Sequence, residues 1–126
     1  MTVVVDTTVL IDHLRGDQRA RDALQLAGAR GERLAASVLT RLELFAGMRP
    51  DEADSILLLF DGLDWIDVDP ELADHAGRLA NRFLSSHPGI DPVDYVVAAT
   101  AERLDAQLWT HNVRDFPMFP GLQPPY

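Results

Sequence analysis

Cysteine is absent from the 126 residues, which excludes disulfides, thiolate metal sites and cysteine nucleophiles together. Lysine is absent as well: all 11 basic residues are arginine. That removes a Walker A phosphate loop, a Schiff-base lysine and a receiver domain that depends on its lysine. The histidines at positions 13, 75, 87 and 111 show no paired ligand spacing, so a histidine-bound zinc is not expected. No apolar run approaches the roughly 18 residues of a membrane span, and no basic segment leading into a long apolar stretch opens the chain. The expectation is a cytoplasmic protein without a membrane partner. What is present suits one globular domain over residues 1–126, with 47% hydrophobic and 25% charged residues. Aspartate supplies 15 of the 20 acidic residues and the formal net charge is -9. Such a chain does not simply coat nucleic acid; it suits a metal-dependent enzyme or a module with a basic partner.

The run Thr2–Asp6 is β-branched and ends in a carboxylate, which predicts a buried strand. Val9, Leu10, Ile11 and Leu14 follow at helical spacing up to Gly16, and Asp17 caps a second helix carrying Ala20, Leu24 and Ala27. Leu34–Ser37 reads as a strand, and Leu39, Leu42, Phe45 and Ala46 mark the inward face of a helix ending at Gly47. Asp51–Leu63 reads as a helix capped by Asp51, and Trp65–Val68 as a strand. Pro70 opens a helix with a stripe at Leu72, Ala76, Leu79, Ala80 and Phe83. Asp91-Pro92 opens another, running to about Leu104, before a short strand at Gln107–Trp109 and an irregular, proline-rich tail. Strands alternating with helices imply an α/β fold, a mainly parallel sheet covered on both faces. In such sheets the functional crevice lies beyond the carboxyl ends of the strands, which places Asp6 and the loop Thr110–Asp115 beside it.

Three acids stand out, each with a structural alternative. Asp6 ends an apolar strand, where a carboxylate is costly unless something uses it; it can also cap the helix at Thr7-Thr8. Glu43 sits at the boundary of an otherwise apolar helix face, or is simply solvated. Asp94 falls at the third position of its helix, where the dipole favours negative charge. The rest of that helix, Tyr95–Ala101, is apolar and small, so Asp94 opens a deeply packed helix. Thr110–Phe116 is a polar loop in which Asn112 or Asp115 can form a turn, with His111 on the surface.

Four blocks in order resemble the PIN-domain ribonucleases, and specifically the VapC-like toxins of toxin–antitoxin pairs: Val4-Val-Asp6-Thr-Thr-Val-Leu-Ile-Asp-His-Leu14, Ser37-Val-Leu-Thr-Arg-Leu-Glu43-Leu-Phe-Ala-Gly47, Gly89-Ile-Asp-Pro-Val-Asp94-Tyr-Val-Val-Ala-Ala-Thr100 and Thr110-His-Asn-Val-Arg-Asp115-Phe116. The resemblance covers essentially the whole chain and implies a three-layer α/β/α domain with a short central sheet. It implies a catalytic and metal-binding cluster of Asp6, Glu43 and Asp94. Many relatives carry an acid two residues after the threonine, where this chain has Asn112; either Asn112 or Asp115 is the fourth member. Thr8, Thr110 and Asn112 would support the cluster. All-oxygen ligands suit Mg²⁺ or Mn²⁺, one ion or two. In the family, a metal-activated water cuts the RNA phosphodiester and leaves a 5′-phosphate and a 3′-hydroxyl. Arg15, Arg41 and Arg114, and less directly Arg49 and Arg82, are candidates for RNA contact. The resemblance also implies a VapB-like antitoxin that inhibits the enzyme.

Two rival readings share the same acids. A metal-dependent phosphoesterase acting on small substrates with Asp6 as nucleophile would want a carboxylate at position 8 and a lysine, and has neither. An acidic-cleft binding domain without catalysis would dock a basic peptide at the cluster. Separately, the apolar run Ile56–Phe60 exceeds one buried face, which points to a homodimer burying some of Leu58, Leu59 and Leu63.

Overall fold

A computed structural model describes all 126 residues. Four strands form one wholly parallel sheet: β1 (Thr2–Val5), β2 (Arg33–Ser37), β3 (Asp64–Ile66) and β4 (Gln107–Trp109). Their spatial order is β3-β2-β1-β4. The chain therefore builds outward from β1 through β2 to β3, then returns to add β4 on the other side of β1. The order reverses between β1 and β4, and a crevice opens at the carboxyl ends of those two strands.

The side-chain period of two divides β1 between two cores. Val4, with Ala35 and Leu108, faces helices α5 (Pro70–Phe83) and α6 (Pro92–Arg103). Val3, Val5 and Ala36 face the opposite way. On that side lie α1 (Thr7–Leu14), α2 (Gln18–Ala29), α3 (Val38–Ala46) and α4 (Ala53–Phe60). The result is the α/β/α sandwich with a parallel sheet that the alternation of elements implies. Ala98, Ala99 and Ala101 are buried along α6, and these small side chains let that helix backbone approach β1 and β2 closely. No helix is long and apolar enough to cross a membrane.

Helix starts follow the expected caps at two places: the Asp17 carboxylate accepts from the Arg19 amide and Asp91 from Val93. Asp69, whose sequence position reads only as flanking a turn, is also a cap, accepting from the Leu72 amide. Other expectations are corrected. The helix read as Asp51–Leu63 spans only Ala53–Phe60, and Asp51 is not its cap. Glu52 takes that position, and its carboxylate accepts instead from the Arg49 amide at 2.7 Å. The strand read as Trp65–Val68 is Asp64–Ile66, because its pairing with β2 ends at Ser37.

The inward face of α3 is also different from the expected one. Thr40 and Leu44 are buried, whereas Leu42, Phe45 and Ala46 are exposed. A helix apolar on more than one side leaves its rotation undecided, and packing against α1 and β2 selects the Thr40–Leu44 stripe. The same correction applies to α4. Leu63 is buried in its own chain and Leu59 is half-buried, leaving Leu57 and Leu58 as the exposed leucines, at 53% and 75%. His111 is not a surface residue but half-buried, its ring stacked on Tyr126 at 4.5 Å between centroids.

Candidate active site

Asp6 follows directly on β1, and its amide continues the ladder by donating to the Trp109 carbonyl at 2.9 Å. That bond brings the end of β1 against the end of β4, and so Asp6 against Thr110. Asp6 holds the N-cap position of α1, yet its side chain makes no capping bond. Its Oδ2 accepts instead from the Thr110 hydroxyl at 2.7 Å and from the Thr8 hydroxyl at 3.3 Å. The carboxylate is only 3% exposed, and burial pushes its pKa up against the lowering effect of the Thr110 bond. A buried carboxylate held by hydroxyls, with no arginine bound to it, is not a structural ion pair.

Glu43 sits in the second half of α3 and is half-buried. Its Oε1 accepts a 2.6 Å bond from the Thr7 hydroxyl, which fixes α3 to the first turn of α1. Burial raises its pKa, with Asp6 and Asp91 adding repulsion. Asp94 lies in the first turn of α6. Its pKa is pushed up to about 7, first by burial and then by the charges of Asp6, Asp115, Glu43 and Asp91. A helix N-terminus ordinarily favours the ionised form, so the neighbouring acids and desolvation outweigh the dipole here.

The fold therefore brings Asp6, Glu43, Asp94 and Asp115 into one electrostatic cluster from four separate elements. Asp91 joins them, although its sequence position reads only as a cap; its second role depends on where the start of α6 lands. Thr7 is the other residue that the sequence does not single out, because its bond to Glu43 joins positions 36 apart. Asn112 contributes differently from Asp115: its amide donates to the Thr110 hydroxyl at 3.0 Å, and its exposed side chain bonds to none of the acids. No ion pair joins any cluster acid to an arginine. As the side chains stand, no three of them converge tightly enough to enclose a single metal ion. Two of the carboxylates are engaged by threonine hydroxyls.

Residues 3–119 match the PIN domain. The chain belongs to the PIN-domain family. It is 50% identical to Ribonuclease VapC19 of Mycobacterium tuberculosis, over 98% of both chains. It is 42% identical to Ribonuclease VapC10 of the same organism, over 98% of this chain and 92% of the relative. Among solved structures, a toxin–antitoxin complex from Klebsiella pneumoniae superposes with a TM-score of 0.80 at 25% identity, covering 98% of each chain. VapBC-1 of nontypeable Haemophilus influenzae, at 24% identity and a TM-score of 0.75, shares the fold over 98% of this chain and 96% of its own.

The arginines of this PIN domain are distributed unevenly. Arg41 packs its guanidinium over the rings of Phe60 and Trp65, 4.2 and 4.9 Å from their centroids, and is half-buried there. Arg15 reaches the Gly47 carbonyl at 3.5 Å and Glu52 at 3.8 Å. Arg114 is exposed in the 3₁₀ turn Val113–Asp115, next to Asp115, and makes no ion pair.

Proposed function

We propose that this PIN domain is a ribonuclease toxin of the VapC type, hydrolysing RNA phosphodiester bonds at Asp6, Glu43, Asp94 and Asp115 and held inactive by a VapB-like antitoxin. The observation that carries the reading is a buried Asp6 held by hydroxyls and grouped with other acids that no arginine pairs, in a chain 50% identical to a named ribonuclease along nearly its whole length; the raised pKa of Asp94 supports it. Repulsion of this kind is a stability cost that a purely structural site would not retain, and it is relieved by binding positive charge.

The donor chemistry fits Mg²⁺ or Mn²⁺: the cluster offers carboxylate oxygens and no histidine or cysteine. Asp6, Glu43 and Asp94 would hold the ion, with Asp115 or Asn112 completing the set. When bound, the ion supplies Lewis acidity and neutralises charge developing on the scissile phosphate. The chain's own part is to hold donors in place. Thr110 and Thr8 direct their protons at Asp6 Oδ2, which leaves Oδ1 as its free oxygen. Thr7 does the same for Glu43 Oε1. Arg114 provides the nearby positive charge that orients an RNA phosphate on an otherwise acidic surface.

Cleavage of a labelled RNA panel with Mg²⁺ or Mn²⁺, and its loss in EDTA, is the outcome this reading requires. Cleavage undiminished by EDTA contradicts the metal assignment, and failure to cleave any RNA at either ion contradicts the nuclease.

The antitoxin reading has an electrostatic consequence. A cluster of acids without arginine partners attracts a basic segment, so the antitoxin should place an Arg or Lys near Asp6 and Asp94. Replacing both with asparagine should weaken the complex at least about tenfold, measured by calorimetry. Unchanged affinity counts against this account. We also infer self-association through the exposed Leu57 and Leu58 of α4. Leu58→Asp should then convert a dimer at micromolar concentration to a monomer in sedimentation. A wild-type monomer at that concentration refutes the inference.

A further inference from the structure

Tyr126 closes a second network just behind the cluster. Its hydroxyl donates to Asp12 Oδ2 on α1 at 2.7 Å, joining positions 114 apart in the chain. Its ring lies on the His111 imidazole, with centroids 4.5 Å apart and planes 24° from parallel. The Arg19 guanidinium stands 5.5 Å from the Tyr126 ring centroid. His111 Nε2 is 3.6 Å from the same Asp12 oxygen, beyond hydrogen-bond length, so the stack does most to hold the imidazole. Burial and the bond to Asp12 push the Tyr126 phenol pKa up, so the hydroxyl remains a donor across the neutral range.

None of these groups touches the acids, but the backbone of His111 leads to them. Its amide donates to the Thr8 hydroxyl at 3.1 Å, and that hydroxyl donates to Asp6 Oδ2. On either side of it, Thr110 donates to the same Asp6 oxygen, and the Asn112 amide donates to Thr110 at 3.0 Å. Both hydroxyls that orient Asp6 are therefore tied to amides of residues 111 and 112. Those residues lie between β4 and the 3₁₀ turn, outside any strand or helix, so no ladder of backbone bonds sets their position. The Asn112 carbonyl accepts from the Asp115 amide at 2.9 Å, and beyond that bond side chains hold the segment, His111 being the one that is clamped.

We infer that Tyr126 is a positioning residue: clasped by Asp12, His111 and Arg19, it fixes the 110–112 loop and, through the His111 amide and Thr8, the orientation of the Asp6 carboxylate. The inference rests on the nuclease reading for its effect on catalysis, but the clasp itself does not depend on that reading. The rival is plain packing, since Tyr126 also borders the core on the α1–α4 side of the sheet. The two differ in what a substitution disturbs. Lost packing lowers the melting temperature and leaves the folded enzyme as fast as before; a lost clasp loosens the loop and slows turnover.

The test uses amide hydrogen exchange in EDTA and RNA cleavage kinetics on the wild type, Tyr126→Phe and Tyr126→Ala. Tyr126→Ala should speed exchange at the His111 and Asn112 amides about tenfold or more, while the core amides of Val4 and Val97 keep their rates. Its kcat should fall about tenfold with KM little changed. Tyr126→Phe keeps the ring and loses the Asp12 bond, and should fall between. Exchange at residues 111 and 112 within twofold of wild type, or a general acceleration that includes the core, overturns the inference. So does a kcat equal to that of the wild type. If the wild type cleaves no RNA, the nuclease reading fails and the exchange rates alone decide the clasp.

Discussion

Asp94→Asn should abolish RNA cleavage, lowering kcat/KM by about three orders of magnitude, and yet leave the cation-free protein as stable as the wild type or more so. The two effects share one cause. Asp94 is half-buried, and its ionised form is disfavoured first by that burial and then by the charges of Asp6, Asp115, Glu43 and Asp91. An asparagine is nearly the same shape, carries no charge and removes that repulsion, for a gain on the order of 1 kcal/mol after solvent screening. It also removes the carboxylate that would help hold a divalent ion, so activity is lost. If Asp94 served only its helix terminus, the sign would reverse. Asparagine would then forfeit a dipole interaction of about 0.3–1 kcal/mol and the mutant would melt lower. Thermal melts in EDTA, paired with the cleavage assay, separate the two. A destabilised mutant that still cuts RNA contradicts the site.

The second large effect is on stability against pH. In EDTA, stability should fall as pH rises from about 4 to about 7. In the unfolded chain Asp94 releases its proton near the ordinary 3.8, whereas in the folded protein it retains it up to about 7. Between those values the folded state binds more protons, so raising the pH favours unfolding. Asp6 and Glu43, both raised, act in the same direction. The surface pairs act oppositely but elsewhere. Asp17 and Asp69, held low by Arg19 and Arg103, contribute stability that is lost only as pH falls below the ordinary carboxylate range. Because Asp94 is partly solvated, its net effect is about 1 kcal/mol, well under the full linkage value. Mg²⁺ or Mn²⁺ should reverse the trend by binding the folded state, raising the melting temperature more at pH 8 than at pH 5.5. Asp94→Asn should show a weaker form of both, keeping the part that Asp6 and Glu43 contribute.

Much of the architecture is legible in the sequence because the local signals agree with one another. The β-branched Val3–Val5 has strand propensity and is too apolar for an edge, and Asp17 and Asp91 cap the helices they precede. The rotation of α3 is not legible. Leu42 and Phe45 are as apolar as Leu44, and only contact with α1 and β2 decides which side is buried. The limits of α4 fail for a similar reason, since Leu63 is buried from a turn and not from the helix. At the candidate site, Asp6, Glu43 and Asp94 stand out through the order of the blocks that carry them. The threonines that hold them do not, because Thr7–Glu43 and Thr110–Asp6 are tertiary bonds that no local spacing encodes. Asp91 is the instructive case: its capping role and its nearness to Asp94 three residues on are visible in sequence, but its charge reaches Glu43 only after α6 has packed.

The central claim is that burial and mutual repulsion together disfavour the ionised form of these carboxylates until a cation binds. Carbon-13 NMR titration of the Asp94 carboxyl, once in EDTA and once with saturating Mg²⁺, reads that combined cost and its relief by the cation. The account predicts a midpoint of about 7 in EDTA and a fall of ~2 units or more with Mg²⁺. A midpoint near the ordinary 3.8 in EDTA, unmoved by the cation, would contradict it.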